Sequence, residues 1–349
     1  MKSLLRIIIS VVCAGSVLLM ASNAWAQNLF AANFWNNEIY EITPSGVQST
    51  FATGNFVAGG PGAPAGPFAL AFDTAGNLFI GTYGTGYIYE ITPDGTQSTF
   101  ASGLYSVTGL AFDSAGNLFA VDGGNGNPGT GYIYKFTPDG AQSTFASGLN
   151  SPVGLTFDSA GNLYEADDID GIIYEFTPNG TQSTFASGLT GSVGLAFNNA
   201  GDLFVLVRNS GSIIEITSDD TQSTFISGLD YNIVGLAIDT SGNLFVGDGS
   251  LLNANIIEIT PDGTPSVFAT GFDAEGLTFQ PTPDLEGAVT PSGFQISVSM
   301  PPPCRLTIIQ ASTNMVDWEN ICTNTPPFTF TDSMGTTLPC RYYRALLAH

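Results

Sequence analysis

The sequence predicts an all-β chain: a six-bladed β-propeller closed by strands from both of its ends, followed by a small C-terminal β-sandwich-like domain. Three observations carry that prediction. First, between Val107 and Gly148 the chain reads as four short apolar runs, Gly109 to Asp113, Asn117 to Val121, Tyr132 to Thr137 and Gln142 to Ala146. They alternate with period two and are separated by Asp, Asn, Gly and Pro, which is strand and turn chemistry without helical spacing. Second, the unit recurs. The residue closing the first strand returns at Phe72, Phe112, Phe157, Phe197, Ile238 and Phe279, at spacings of 40, 45, 40, 41 and 41 residues. The fourth strand ends at Phe51, Phe100, Phe145, Phe185, Phe225 and Phe268. One four-stranded sheet cannot bury both faces alone, so such a period implies blades packed in a ring. Third, the array starts and stops in mid-unit. Asn28-Leu29-Phe30 matches a second strand with no first strand before it, and Gly276-Leu277-Thr278-Phe279 matches a first strand with no second after it. The two ends complete one blade, and closure removes the edges that an open sheet would expose.

In chain order, residues 1–26 read as a secretory signal peptide. Lys2 and Arg6 make a basic start, Ile7 to Met20 is an apolar run, and Ala24-Trp25-Ala26 is an A-x-A cleavage signal. The run is short for a spanning helix and no later stretch approaches the needed length. The expectation is an exported protein, extracellular, periplasmic or associated with the cell surface, and monomeric.

Residues 27–283 form the propeller. Only Lys135 and Arg208 stand there against 25 Asp and Glu, within a chain of formal net charge −23. Nucleic acid and anionic lipid are held through Lys and Arg, so this acidic protein is not expected to bind them. Most acidic positions have a structural use. Asp73, Asp113, Asp158 and Asp239 open D-x-x-G turns and Asp94, Asp139 and Asp262 sit in P-D-G turns, where the carboxylate accepts backbone N–H bonds. Glu41, Glu90, Glu175, Glu215 and Glu258 share one third-strand position with Lys135, a repeated surface or inter-blade site.

Residues 284–349 break the period. After Pro301 to Pro303, short strands are expected at Arg305 to Ala311, Phe328 to Thr331 and Arg341 to Ala345, with Trp318 as a core anchor. So small a domain needs a staple. Cys304, Cys322 and Cys340 lie here and export favours a disulfide, but three thiols leave the pairing open.

In a propeller, ligands meet the loops at one mouth of the central channel. Two rings of equivalent positions face it. The ring just before the first strands holds Phe68, Thr108, Val153, Val193, Val234 and Glu275; the ring ending the second strands holds Asn33, Thr82, Asp122, Asp167, Val207 and Asp248. Asp122, Asp167, Asp168 and Asp248, with Glu275, are the candidate ligands for a divalent cation, calcium first. Capping of their own loops is the commoner use of such residues. Glu275, the one ionisable residue of its ring, is the candidate general acid or base if burial raises its pKa. Arg208 either clamps a ligand carboxylate or pairs with Asp167 or Asp168. Asn33, Trp35, Tyr83 and Tyr231 complete the candidate ligand-binding set, the aromatics as platforms for a sugar or aromatic ligand. The single histidine is His349, so histidine catalysis within the propeller is excluded, and there is no G-x-S-x-G and no phosphate loop.

The unit V-G-L-A-F-D-S-A-G-N-L-F…G-x-I-Y-E-F-T-P-D-G-x-Q-S-T-F-A-S-G, from Asn28 to Phe279, resembles the NHL repeat and related six-bladed propellers. These include the regucalcin/gluconolactonase (senescence marker protein) group and the streptogramin (virginiamycin B) lyases. Gluconolactonase-like enzymes hold a divalent metal at positions just before first strands. The resemblance places that set here at Glu275, Thr108, Val153 and Val193, where only Glu275 is a competent ligand. The lyases rely on histidine, which the propeller lacks. The tail, I-I-Q-A-S-T-N-M-V-D-W…F-T-F-T-D…R-Y-Y-R-A, is similar to a C-terminal β-module of secreted bacterial proteins, which implies an accessory or attachment role. The expectation is a binding module for a small molecule, glycan or protein at the loop face. The alternative is a metal-dependent lactonase or esterase using Glu275 with the mouth aspartates.

Overall fold

The computed structural model describes residues 9–13, 16–18, 27–54, 56, 65–125, 127–248, 254–271, 273–281, 284–290, 293–299, 307–312, 319–324, 328–332 and 340–347. These fall in two compact units. One is Gln27–Asp73 with Asn77–Gln280; the other holds the chain from Pro281 onward, the strands before residue 19 and Thr74–Gly76.

The first unit is the six-bladed propeller. Blade 1 comprises Gly66–Phe72, Leu78–Tyr83, Ile88–Ile91 and Gln97–Ala101, and blade 2 comprises Val107–Phe112, Leu118–Asp122, Gly131–Phe136 and Gln142–Leu149. Blade 3 is Pro152–Phe157, Leu163–Asp167, Ile172–Phe176 and Gln182–Ser187; blade 4 is Ser192–Phe197, Leu203–Val207, Ser212–Ile216 and Gln222–Ser227. Blade 5 is Ile233–Ile238, Leu244–Asp248, Asn255–Ile259 and Pro265–Thr270. Each is a four-stranded antiparallel meander in chain order. Blade 6 is assembled from both ends: Gly276–Phe279, Leu29–Asn33, Glu38–Ile42 and Gln48–Thr53. Gly276 stands opposite Ala32 and Phe279 opposite Leu29, the register that the split repeat predicts. The six first strands touch one another in a closed ring.

The turns form as their chemistry dictates. In blade 2 the Asp113 carboxylate accepts the N–H groups of Ala115 (3.0 Å) and Asn117 (2.8 Å) and the Asn117 amide (2.7 Å), while Gly116 takes φ 81°. Asp158 and Asp239 repeat this set in blades 3 and 5, and Asp73 accepts the two Asn77 bonds in blade 1. Positive φ is strained for any residue with a Cβ, and that is why Gly recurs at this position.

The core lies between blades. The aromatic at the second residue of each second strand meets, nearly edge-on, the Phe of its own fourth strand and, except in blade 4 where Ile238 follows, the Phe ending the next blade's first strand. Phe119, for example, lies 5.0 Å from Phe145 at 87° and 5.1 Å from Phe157 at 77°. Such pairs add about 0.5–1.5 kcal/mol beyond area burial. The third-strand acids lie half-buried at the flank: Glu41 accepts from the Asn28 amide at 2.6 Å, and Lys135 stands 3.7 Å from Asp113 and over the Phe119 ring.

In the second unit, Asp284–Thr290, Gly293–Ser299 and Phe328–Asp332 form a three-stranded sheet. A five-stranded sheet runs in the order Ser16–Leu18, Ile9–Cys13, Cys340–Leu347, Thr307–Ser312, Glu319–Asn324. The predicted strands at 305–311, 328–331 and 341–345 appear among the described residues, with five further strands that the sequence reading did not give, three after residue 283 and two before residue 19. Ser16–Leu18 and Ile9–Cys13 form one edge of this sheet, with Ile9–Cys13 paired to Cys340–Leu347. Cys322 is a free thiol, and burial pushes its pKa up. Cys304 and Trp318 lie outside the described residues. Among the described residues no helix is long and apolar enough to cross a membrane.

Candidate functional site

The channel is lined in three tiers by the V-G-L motif of the first strands. Phe68, Thr108, Val153, Val193, Val234 and Glu275 form the upper tier, small residues the middle one and six leucines the third. A β-bulge at the upper tier explains its orientation. The first-to-second strand register shifts between Pro67 and Ala69, Val107 and Gly109, Pro152 and Gly154, and Ser192 and Gly194. The residue skipped in each case is the ring residue, which the bulge turns toward the channel. Five of the six middle-tier residues are glycine, with Ala69 the sixth, because the strands nearly touch there. A Cβ on Gly276 would stand 2.1 Å from the Phe68 carbonyl oxygen, and one on Gly109 2.3 Å from that of Val153. The channel encloses about 100 Å³. Small-molecule sites run to roughly 300–1,000 Å³, so any ligand body sits at the mouth.

Two of the aspartates predicted as cation ligands, Asp122 and Asp167, serve the loops. Asp122, buried, accepts the N–H groups of Tyr105 (2.9 Å), Ser106 (3.0 Å) and Gly124 (3.1 Å). Asp167, also buried, accepts those of Asn150 (2.9 Å), Ser151 (3.3 Å) and Asp170 (3.1 Å). Asn33 accepts from Asn36 at 3.0 Å, and the Thr82 hydroxyl accepts from Tyr87 at 3.0 Å. One carboxylate thus ties together the loop entering a blade and the loop leaving its second strand. Asp168 pairs with Arg208, the second of the two roles expected for that arginine. Burial raises the Asp168 carboxyl and the Arg208 guanidinium beside it pulls the other way. The Asp248 side chain lies outside the described residues. Among the described residues, no three His, Cys, Asp or Glu side chains stand close enough to hold a metal. Glu275 lines the channel mouth half-buried, not in the fully buried setting that an acid–base role presupposed.

Two of the three predicted aromatics, Trp35 and Tyr83, lie in one sector, linked through Phe34. Trp35 (53% exposed) packs at right angles on buried Phe34, ring centroids 5.0 Å apart, and Phe34 meets Tyr83 (40% exposed) at 6.1 Å. Tyr83 continues to Phe68 of the channel ring at 5.6 Å. Tyr231, 71% exposed, stands apart on the entry to blade 5. Sequence reasoning did not single out Phe34 or the exposed Tyr105, although both occupy mouth loops. Nor did it single out Glu165. That residue fills a second-strand column held by Ala31, Ile80, Ala120, Val205 and Val246 elsewhere, which was the available signal. Glu165 is fully buried and neither carboxyl oxygen has a hydrogen-bond partner. Burial drives its carboxyl well above the ordinary range and the Asp167 charge adds to the rise, with the nearby Val153 N–H, which makes no well-formed hydrogen bond to either oxygen, opposing both.

No protein-family model and no curated protein matches the sequence. Among solved structures, the chain is similar to a protein of unknown function from Bacteroides caccae, with TM-score 0.55 and 14% identity over 74% of this chain and 100% of that one. It is also similar to a streptogramin B lyase (TM-score 0.48, 15% identity, 92% of this chain and 98% of that one). A putative gluconolactonase gives TM-score 0.49 and 15% identity over 83% of this chain and 96% of that one. At such identity the likeness is one of fold: a six-bladed β-propeller.

Proposed function

We propose that this is an exported, non-catalytic propeller that binds its ligand with the loops at the channel mouth. The observation that supports the reading is the division of labour there. Asp122 and Asp167 spend their oxygens on backbone N–H groups, and Asp168 is engaged by Arg208. The exposed mouth groups in the Trp35–Tyr83 sector are aromatic, the residue type that most often anchors partners. Glu275 is a single carboxylate on an otherwise uncharged upper tier, and a hydrolytic metal centre needs several ligands together. Export rests on the leader's basic start, apolar run and A-x-A signal.

Turnover assays decide between this reading and the lactonase alternative. With aryl esters and sugar lactones, in the presence of calcium, zinc or manganese, the expected rate equals that of heat-denatured protein. Turnover abolished by Glu275→Ala would overturn the binding reading.

A further inference from the structure

We infer that Asn179 is a site of spontaneous deamidation, where a surface turn built for a carboxylate holds an amide that water converts to aspartate. The turn joins the third and fourth strands of blade 3, at the end of the propeller away from the channel mouth. Its chemistry is independent of what the mouth binds.

The repeat itself marks the position. The third-to-fourth-strand turns carry Asp94, Asp139, Asp219 and Asp262 in blades 1, 2, 4 and 5, Ser45 in blade 6 and Asn179 in blade 3. At each aspartate the Thr two residues before donates its hydroxyl to the carboxylate: Thr92, Thr137, Thr217 and Thr260. The N–H two residues after adds a second bond at Thr96 (3.0 Å), Thr221 (3.1 Å) and Thr264 (3.2 Å). These donors, the first Thr hydroxyl foremost, hold the Asp94, Asp219 and Asp262 carboxyls below their ordinary range.

Asn179 sits in the same cradle. Its Oδ1 accepts from the Thr177 hydroxyl, from the Thr181 N–H at 3.2 Å and from the Thr181 hydroxyl at 3.0 Å. Three donors thus converge on one amide oxygen of an exposed residue. Hydrogen bonds to a charged acceptor are roughly twice as strong as neutral ones, so the cradle prefers the carboxylate to the amide.

The next residue supplies the nucleophile. Gly180 has no Cβ to obstruct the approach of its nitrogen to the Asn179 Cγ. Its N–H donates to the Thr177 carbonyl at 2.8 Å, so attack proceeds from the turn with that one bond open. The Gly180 nitrogen loses its proton to water or hydroxide and bonds to Cγ. Negative charge then develops on Oδ1, which faces the cradle's donors. The Cγ–Nδ2 bond breaks, the departing nitrogen takes up a proton, and ammonia leaves behind a cyclic imide. Water opens the imide at Cγ to give aspartate, or at the Asn179 carbonyl carbon to give isoaspartate. Overall an amide and a water become a carboxylate and an ammonium ion, with no redox change. Other turn asparagines are placed differently. Asn77, Asn117, Asn162 and Asn243 each precede a leucine and donate their amides to the turn aspartate. The second Asn-Gly pair, Asn125-Gly126, has its glycine outside the described residues.

The test incubates full-length protein at mildly alkaline pH, folded and in urea, and follows each asparagine by peptide mapping with mass spectrometry. In folded protein, conversion at Asn179 is expected to run at least about tenfold faster than at Asn117 or Asn162. It is expected to run more slowly than in urea, because the turn must open first. Asn179→Asp supplies the product directly. Its thermal midpoint at neutral pH is expected to lie above that of wild type. That gain should be lost as pH falls through the lowered carboxylate range, and should shrink in a Thr181→Val background. An Asn179 amide that survives in the folded protein, or that converts no faster than Asn117, overturns the site. Equal midpoints for Asn179→Asp and wild type overturn the cradle's preference for charge.

Discussion

A buried polar group left without a hydrogen bond costs about 1–3 kcal/mol, and Glu165 meets that description at both oxygens. Its column in the other blades is apolar, so Glu165→Val restores the repeat's own solution. Urea unfolding should show Glu165→Val more stable by about 1–3 kcal/mol at neutral pH, with an unchanged m-value. The pH dependence has a definite sign. The folded carboxyl holds its proton above the ordinary value of 4.5, so the folded state binds more protons than the unfolded one. Stability attributable to this residue is therefore present at acid pH and is lost as pH rises from 4.5 toward the raised folded value. Glu165→Gln should flatten that decline; a parallel decline in wild type and variant would refute the assignment. Asp122 shows the contrasting case, a buried carboxylate stabilised by three N–H donors. Residue type alone does not separate the two.

At the level of the strand, the glycines divide into two groups with different physics. Gly276 and Gly109 stand where a Cβ would meet a backbone carbonyl of the next blade at 2.1 and 2.3 Å, and backbone in a closed ring has little room to yield. Gly140 has φ 84° and open space around it, so Ala there meets backbone strain alone. Gly276→Ala is expected to lower stability by about 3 kcal/mol or more through overpacking, and Gly140→Ala by about 1 kcal/mol. Thermal unfolding of the two variants checks the order, and equal losses would show that the ring can expand. The V-G-L motif was legible as a repeat in the sequence. That its glycine marks the narrowest contact between blades was not, because the partner carbonyl belongs to another repeat.

For the molecule as a whole, stability depends on one pairing. Gly276–Phe279 beside Leu29–Asn33 joins residues about 250 positions apart and leaves no free inner edge in blade 6. A chain ending at Gln280 is expected to unfold in a single transition as a monomer. One ending at Ala274 exposes the Leu29–Asn33 edge and is expected to aggregate, as unpaired edges do. Light scattering distinguishes the two, and equal solubility would mean that closure contributes little. The blade count, the strand positions and the closing register followed from the sequence because strand alternation and turn chemistry are local and repeat every 40 or so residues. What the mouth residues do was settled only by the fold. Whether an aspartate caps a loop depends on donors 16 or 17 residues upstream, as at Asp122. Whether Trp35 and Tyr83 share a sector depends on the packing of blade 6 against blade 1. Local rules fix each blade, whereas the site is made of contacts between blades, which no single repeat encodes.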